Sequence, residues 1–217
     1  MVKSQVVIID FGVGNLLSVQ RAVEHLGAEG VCTSNAELIR NAERVILPGV
    51  GAFANAMHSL ESLGLIGVVR EVTARGTPLL GICLGMQLLL DESEEFGLTK
   101  GLGLIPGRVT AIPDRSLDGQ VLKIPHIGWN ELVLSEGCRW KDTLLEDSNP
   151  GDAMYFVHSF MAVPDSPSML LANCAYGGHL IPAVIRSENV MGCQFHPEKS
   201  GKLGLLILNR FVNLRVS

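Results

Sequence analysis

The sequence predicts an α/β fold: a mixed, mostly parallel central sheet flanked by helices, with an antiparallel portion in the C-terminal half. Three observations point there. Up to about Gly97, short apolar runs alternate with amphipathic stretches of helical period, the pattern of a doubly wound parallel sheet. The apolar mass is Val, Ile, Leu and Ala, and aromatics make up only 5% of the chain, which suits a helix-covered sheet better than a sandwich. Beyond Gly97 the texture changes to short strands between turn residues, as antiparallel pairing requires.

In chain order, Gln5 to Asp10 reads as a buried first strand. Asn15 to Leu26 follows as a helix, with Leu16, Val19, Val23 and Leu26 on one face and Gly27 ending it. Glu29 to Thr33 is a second strand, Asn35 to Asn41 a short helix, and Arg44 to Leu47 a third strand stopped by Pro48-Gly49-Val50-Gly51. Two helices, Phe53–Leu63 and Leu65–Arg75, lead to the central strand Pro78–Ile82 and a helix from Gly85 to Asp91. The later strands are expected at Arg108–Ile112, Val121–Ile124, Glu131–Leu134, Met154–Phe160, Met169–Cys174, Ala183–Arg186 and Val190–Phe195, completing and flanking the same sheet. A last helix, Leu203 to Leu214, packs back on the core. No repeat or flexible linker divides residues 1–217, so one domain is expected.

Composition excludes several function classes. The net charge is -5 and no basic cluster exceeds two residues, which disfavours nucleic-acid binding. Five scattered cysteines (Cys32, Cys83, Cys138, Cys174, Cys193) show no CxxC pair and no Cys/His ligand spacing, so neither a metal site nor a disulfide framework is expected. The N-terminal apolar run is too short for a signal peptide, and the greasiest stretch, Pro78 to Leu90, is interrupted by Gln87. A cytoplasmic protein without membrane contact is the expectation.

Chemistry concentrates at Gly81-Ile82-Cys83-Leu84-Gly85, where an apolar strand gives way to a helix. A nucleophile at such a junction sits on a tight, strained turn, and glycines two positions before and after it relieve the crowding. The new helix aims its N-terminus at the sulfur, which favours a thiolate. A thiolate needs a base and a group to orient that base. His25 and His58 lie on helices as surface residues, and His179 sits in a Gly177-Gly178 turn. His196 differs: it follows the strand Val190–Phe195 and precedes Pro197-Glu198, so Glu198 can hold the imidazole tautomer that faces Cys83. An anion site can be assembled from the N–H of Leu84 and from Gly49-Val50-Gly51, which follows a strand and presents bare backbone. Gly12-Val13-Gly14 also follows a strand, but Leu17 stands where a dinucleotide-binding loop has its third glycine, which excludes that reading and leaves a partner or ligand contact.

Gly81-Ile82-Cys83-Leu84-Gly85-Met86-Gln87 together with Gln194-Phe195-His196-Pro197-Glu198 resembles the class I (triad) glutamine amidotransferases. Asp10 to Leu16, Pro48 to Gly51, Tyr155 to Phe160 and above all Pro125-His126-Ile127-Gly128-Trp129-Asn130 extend the resemblance over essentially the whole chain. They narrow it to glutaminase subunits that work with a cyclase. The resemblance implies that Cys83 attacks the side-chain amide of glutamine, that His196 protonates the departing ammonia, and that Glu198 orients His196. It also implies that Gln87 and backbone near Gly51 and His158-Ser159 hold the substrate. No metal or organic cofactor is implied. The implied partner is a (β/α)8-barrel cyclase subunit that receives ammonia through a channel, with Asn15 and Trp129 in stretches facing it. For these two the alternatives are a helix cap and core filling. The oxyanion site is implied to form fully only when the partner carries its nucleotide. An ammonia donor for another synthase, a non-catalytic partner-binding scaffold and a cysteine peptidase are the competing readings. The intact Cys83, His196 and Glu198 argue against the scaffold, and the Pro125–Asn130 motif against the peptidase.

Overall fold

The computed structural model describes residues 4–214; Met1–Lys3, the start of the N-terminal run, lie outside the described residues. The first half alternates β1 (Gln5–Ile9), α1 (Leu16–His25), β2 (Glu29–Thr33), α2 (Ala36–Arg40), β3 (Val45–Gly49), α3 (Phe53–Ser62), α4 (Leu65–Ala74), β4 (Leu79–Cys83) and α5 (Leu84–Leu88). The second half adds β5 (Glu92–Ser93), β6 (Thr99–Lys100), β7 (Gly107–Ala111), β8 (His126–Leu134), β9 (Ala153–His158), β10 (Phe160–Pro164), β11 (Leu170–Tyr176), β12 (His179–Ser187), β13 (Val190–Cys193) and α6 (Gly201–Val212). Nine strands form the main sheet in the order β2-β1-β3-β4-β13-β12-β11-β8-β9. Pairing is parallel from β2 through β13 and antiparallel from there to β9, as the change of texture after Gly97 predicts.

Strand alternation sorts the core into two layers. Val6, Ile8, Ile46, Leu80 and Ile82 face α1 and α6. Val7, Ile9, Val45, Leu47 and Leu79 face the opposite side, among side chains from α2, α3 and α4. All of these are essentially inaccessible to solvent, and each contributes roughly 1.5–3 kcal/mol by leaving water. Helix α2, only five residues long, is held at its start by Asn35, whose side chain accepts from the N–H groups of Glu37 and Leu38.

Several boundaries correct the sequence reading. Arg108–Ile112 does not complete the main sheet: its strand, β7, belongs to a second sheet of four strands in the order β10-β7-β5-β6. Met154–Phe160 is not one strand. It breaks at Ser159, where the chain leaves the main sheet at His158 and enters the small one at Phe160. Val121–Ile124 is not a strand either; Val121 makes only an isolated bridge to Arg115 and is 76% exposed. The helix behind Cys83 ends at Leu88, three residues before the predicted Asp91. Among the described residues no helix is long and apolar enough to cross a membrane, and no group of three or more His, Cys, Asp or Glu side chains is placed to hold a metal ion.

Candidate active site

Cys83 is the last residue of β4 and the cap of α5, with φ 54° and ψ −112°. A side-chain-bearing residue held there costs on the order of 1–3 kcal/mol, so the surrounding packing must impose the conformation. Both flanking glycines are needed, for different reasons. A Cβ on Gly81 would lie 2.6 Å from the carbonyl oxygen of Gly85, the crowding across the turn that the motif predicts. A Cβ on Gly85 would instead lie 1.7 Å from the carbonyl oxygen of Leu47. The second glycine therefore admits strand β3, whose Leu47 pairs with Gly81.

The other two triad candidates arrive from the neighbouring strand. β13 lies beside β4 with Cys193 opposite Ile82, and the chain continues through Gln194 and Phe195 to His196. Pro197–Lys199 form a single 3-10 turn that brings Glu198 back under the imidazole, with Glu198 Oε1 2.9 Å from His196 Nδ1. The two side chains are 2% and 1% exposed. A carboxylate only accepts, so Nδ1 carries the hydrogen and Nε2, which has no hydrogen-bond partner, is left to exchange a proton. Burial alone would lower the His196 pKa. The Cys83 sulfur and the Glu198 carboxylate outweigh it and push the value up to about 9.

These groups border a cavity of about 380 Å³. Cys83, Leu84 and His196 form one wall, and Val50 and Gly51 a second; Gly49 pairs directly with Cys83. Leu84 opens α5, so its N–H belongs to the unpaired first turn, the geometry an anion site requires. The predicted anion segment thus runs beside the nucleophile. His158 and Ser159 line the third wall.

Gln87 is 5% exposed and tied by its amide nitrogen to Phe160 O and Gln194 Oε1, both at 3.0 Å. Phe160 O can only accept, which fixes the orientation of the Gln87 amide and leaves its oxygen, an acceptor, for any ligand. Gln194 Nε2 in turn lies 3.8 Å from Cys83 Sγ.

Two cavity residues escaped the sequence reading. Glu95 is the one carboxylate among the described lining residues, and its Oε2 accepts the Phe53 N–H at 2.7 Å, closing the start of α3. In the sequence it is one of several acids after α5, and nothing in that run marks the buried one. Phe96, at the rim, is 92% exposed. His126, one residue into a motif valued as a whole, pairs with His158, Nδ1 to Nε2, at 3.1 Å. Of the two residues expected to face a partner, Asn15 sits at the cap position of α1 but makes no side-chain cap bond. Trp129 is 59% exposed against the edge of Tyr155, so core filling is not its role.

The histidine pair gives an acid-stability prediction. Burial pushes His158 down to about 4 and lowers His126 as well. In the unfolded chain an imidazole takes up its proton near 6.5. The unfolded state therefore binds more protons between those values, and stability falls as pH falls. His196, shifted upward, works in the opposite sense: its stabilisation is complete below about 6.5 and is lost as pH rises through about 9. Comparing wild type with His158→Gln isolates the first effect. The wild type should lose about 2 kcal/mol more than the variant between pH 7 and pH 5, read from urea midpoints. Parallel curves would refute the assignment.

A nucleophile elbow beside a buried, carboxylate-oriented histidine on a mixed α/β sheet defines a thiol-dependent acyl-transfer class. The glutamine amidotransferase class-I family model matches residues 7–213, and the chain belongs to that family. Within it, the chain is 51% identical over 212 residues to imidazole glycerol phosphate synthase subunit HisH 1 of Legionella pneumophila (strain Lens), covering 97% of this chain and 100% of the relative. It is 42% identical to subunit HisH of that synthase from Geobacter sulfurreducens, covering 98% and 100%. A crystal structure of a glutamine amidotransferase superposes with a TM-score of 0.71 at 18% identity, covering 96% of this chain and 99% of the other, which shows the shared fold.

Proposed function

We propose that this protein is the glutaminase subunit of an imidazole glycerol phosphate synthase, acting in histidine biosynthesis. It hydrolyses glutamine to glutamate and ammonia and passes the ammonia to a (β/α)8-barrel cyclase subunit. The observation that carries the chemistry is the buried Cys83–His196–Glu198 arrangement opening on a cavity. The full-length identity to HisH subunits carries the pathway.

Cys83 passes its thiol proton to His196 Nε2, and the thiolate Sγ attacks the side-chain carbonyl carbon of glutamine. The N–H of Leu84, with backbone from Gly49-Val50-Gly51, receives the oxyanion. His196 Nε2 donates its proton to the amide nitrogen as the C–N bond breaks, releasing ammonia and leaving a glutamyl thioester on sulfur. The imidazole, now neutral, takes a proton from water; the hydroxide formed attacks the thioester, and glutamate leaves as the thiolate returns. Glu198 keeps Nδ1 protonated throughout. A cation at one end of the substrate matches the lone cavity carboxylate, so Glu95 takes the α-ammonium group. Gln87 and the backbone of His158-Ser159 hold the remainder. Glu95→Gln, which keeps an acceptor for the Phe53 N–H, should raise KM for glutamine at least tenfold with kcat little changed; an unchanged KM would remove Glu95 from the binding site.

Ammonia in water at neutral pH becomes ammonium and ceases to be a nucleophile, so the product must pass directly to its acceptor. The acceptor is the aminoimidazole carboxamide ribonucleotide intermediate on the barrel subunit, and Asn15 and Trp129 belong to the surface that meets that subunit. The Val50 peptide, between two glycines, reorients when the partner carries its nucleotide and completes the oxyanion site. Glutamate release should therefore be slow for the isolated chain and rise sharply with the ligand-loaded barrel subunit. Release as fast without the partner would exclude coupling, and release indifferent to this partner would assign the protein to another synthase.

A further inference from the structure

The geometry points to His126 as a positioning residue that fixes the substrate-binding segment His158–Phe160 by donating one hydrogen bond to His158. This inference rests on the glutaminase reading of the cavity.

The proton arrangement is forced from one end. Phe160 O is a pure acceptor, so His158 Nδ1, 2.9 Å away, carries the hydrogen, and Gln87 Nε2 donates to the same oxygen at 3.0 Å. In the neutral His158 ring, Nε2 is then a bare acceptor. His126 Nδ1 at 3.1 Å must donate to it, which leaves His126 Nε2 bare in turn. Asn130 Nδ2 faces that atom at 3.4 Å and also donates to Ala175 O at 2.6 Å, while Asn130 Oδ1 accepts the Glu131 N–H at 2.9 Å. Every group along this path has one permitted orientation. The burial that keeps His158 neutral guards it, since a second proton on His158 would set N–H against N–H.

The location gives the contact its use. His126 and His158 stand opposite each other at the end of the β8/β9 ladder. After His158 the main-sheet ladder stops, and Phe160 begins the small sheet. Ser159 thus lines the cavity at a seam between two sheets, tied to the small one through its carbonyl, which accepts the Ile112 N–H at 2.9 Å. The imidazole chain supplies the tie to the main sheet across that seam. His126 is itself clamped, stacked on Tyr176 at 4.2 Å and on Phe156 at 5.4 Å. It is 3% exposed, and its ring nitrogens face His158 and Asn130, not a member of the triad.

The test compares two substitutions of similar polarity. In His126→Asn the side-chain nitrogen replaces Nδ1, so the donor to His158 survives. In His126→Gln the nitrogen replaces Nε2 and points toward Asn130, so His158 loses its donor. With the barrel subunit present, the Gln variant should raise KM for glutamine about tenfold, with kcat falling less than threefold, and the Asn variant should stay within threefold of wild type in both. A purely structural role would lower thermal stability in both variants without separating their KM values. Nitrogen NMR of the wild-type imidazoles should show Nδ1 protonated and Nε2 bare in both rings at neutral pH. Equal KM in the two variants, or a hydrogen on Nε2 of His158, would overturn the inference. Failure of the wild type to release glutamate would instead overturn the glutaminase reading and leave the NMR result standing.

Discussion

Cys83→Ala should abolish glutamate release, lowering it at least ~10⁴-fold even with the loaded partner present. The size of the loss follows from what remains. The nearest alternative thiol by topology is Cys193, on the strand beside β4, but it is inaccessible to solvent and burial holds its thiol well above the usual range. It cannot substitute. His196 and Glu198 would persist, yet neither can form a thioester. The substitution has a second, spectroscopic consequence: with the sulfur gone, only Glu198 opposes burial, so the His196 pKa should fall below about 9. In the wild type the same value sets the alkaline limb. Activity should decline as pH rises through about 9, because the imidazole that protonates departing ammonia loses its proton there. Retention of more than 1% activity in the alanine variant would displace Cys83 from the mechanism.

Gly85→Ala should be the most destabilising single-methyl addition near the site, costing more than ~4 kcal/mol or preventing folding outright. A methyl group there would lie 1.7 Å from Leu47 O, closer than any non-bonded contact. Relief would require β3 to move away from β4, but the two strands are in register along five residue pairs and buried on both faces. Gly51→Ala makes the comparison. Gly51 has φ +101° but open space around its Cβ position, so it should cost only backbone strain. Urea unfolding of the two variants measures the difference, and a Gly85→Ala protein within 1 kcal/mol of wild type would contradict the packing described for β3 and α5.

In the parallel half, β1, β3 and β4 were legible because they are buried along almost their whole length and therefore read as apolar runs; the edge strand β2 is partly exposed and was marked by its place between two helices. Cys83, His196 and Glu198 were legible because glycine spacing and a strand-ending His-Pro-Glu impose local geometry. The remainder depends on which strand meets which. Ala153 to Pro164 alternates without glycine or an internal proline, so nothing local marks Ser159 as the point where the chain changes sheets. Val121–Ile124 has β propensity but no partner strand, and propensity without pairing leaves it exposed. Pro125 and Gly128 punctuate the start of β8 and concealed a strand of nine residues. Glu95 and His126 take their significance from neighbours distant in sequence, Phe53 and His158.

The position of β13 sets the order in which the site can come into being during synthesis. β2, β1, β3 and β4 are contiguous in the chain and can pair as soon as the first half leaves the ribosome. The far edge of β4, with Cys83 at its end, then waits for a strand encoded near the C-terminus. Throughout that interval the nascent chain carries an open apolar sheet edge and a thiol without its histidine. Such an edge invites pairing with foreign strands, and closing it late requires a contact of long sequence separation. The nucleophile is made early and armed last, so a chain stalled before Val190 carries the cysteine and none of its catalysis.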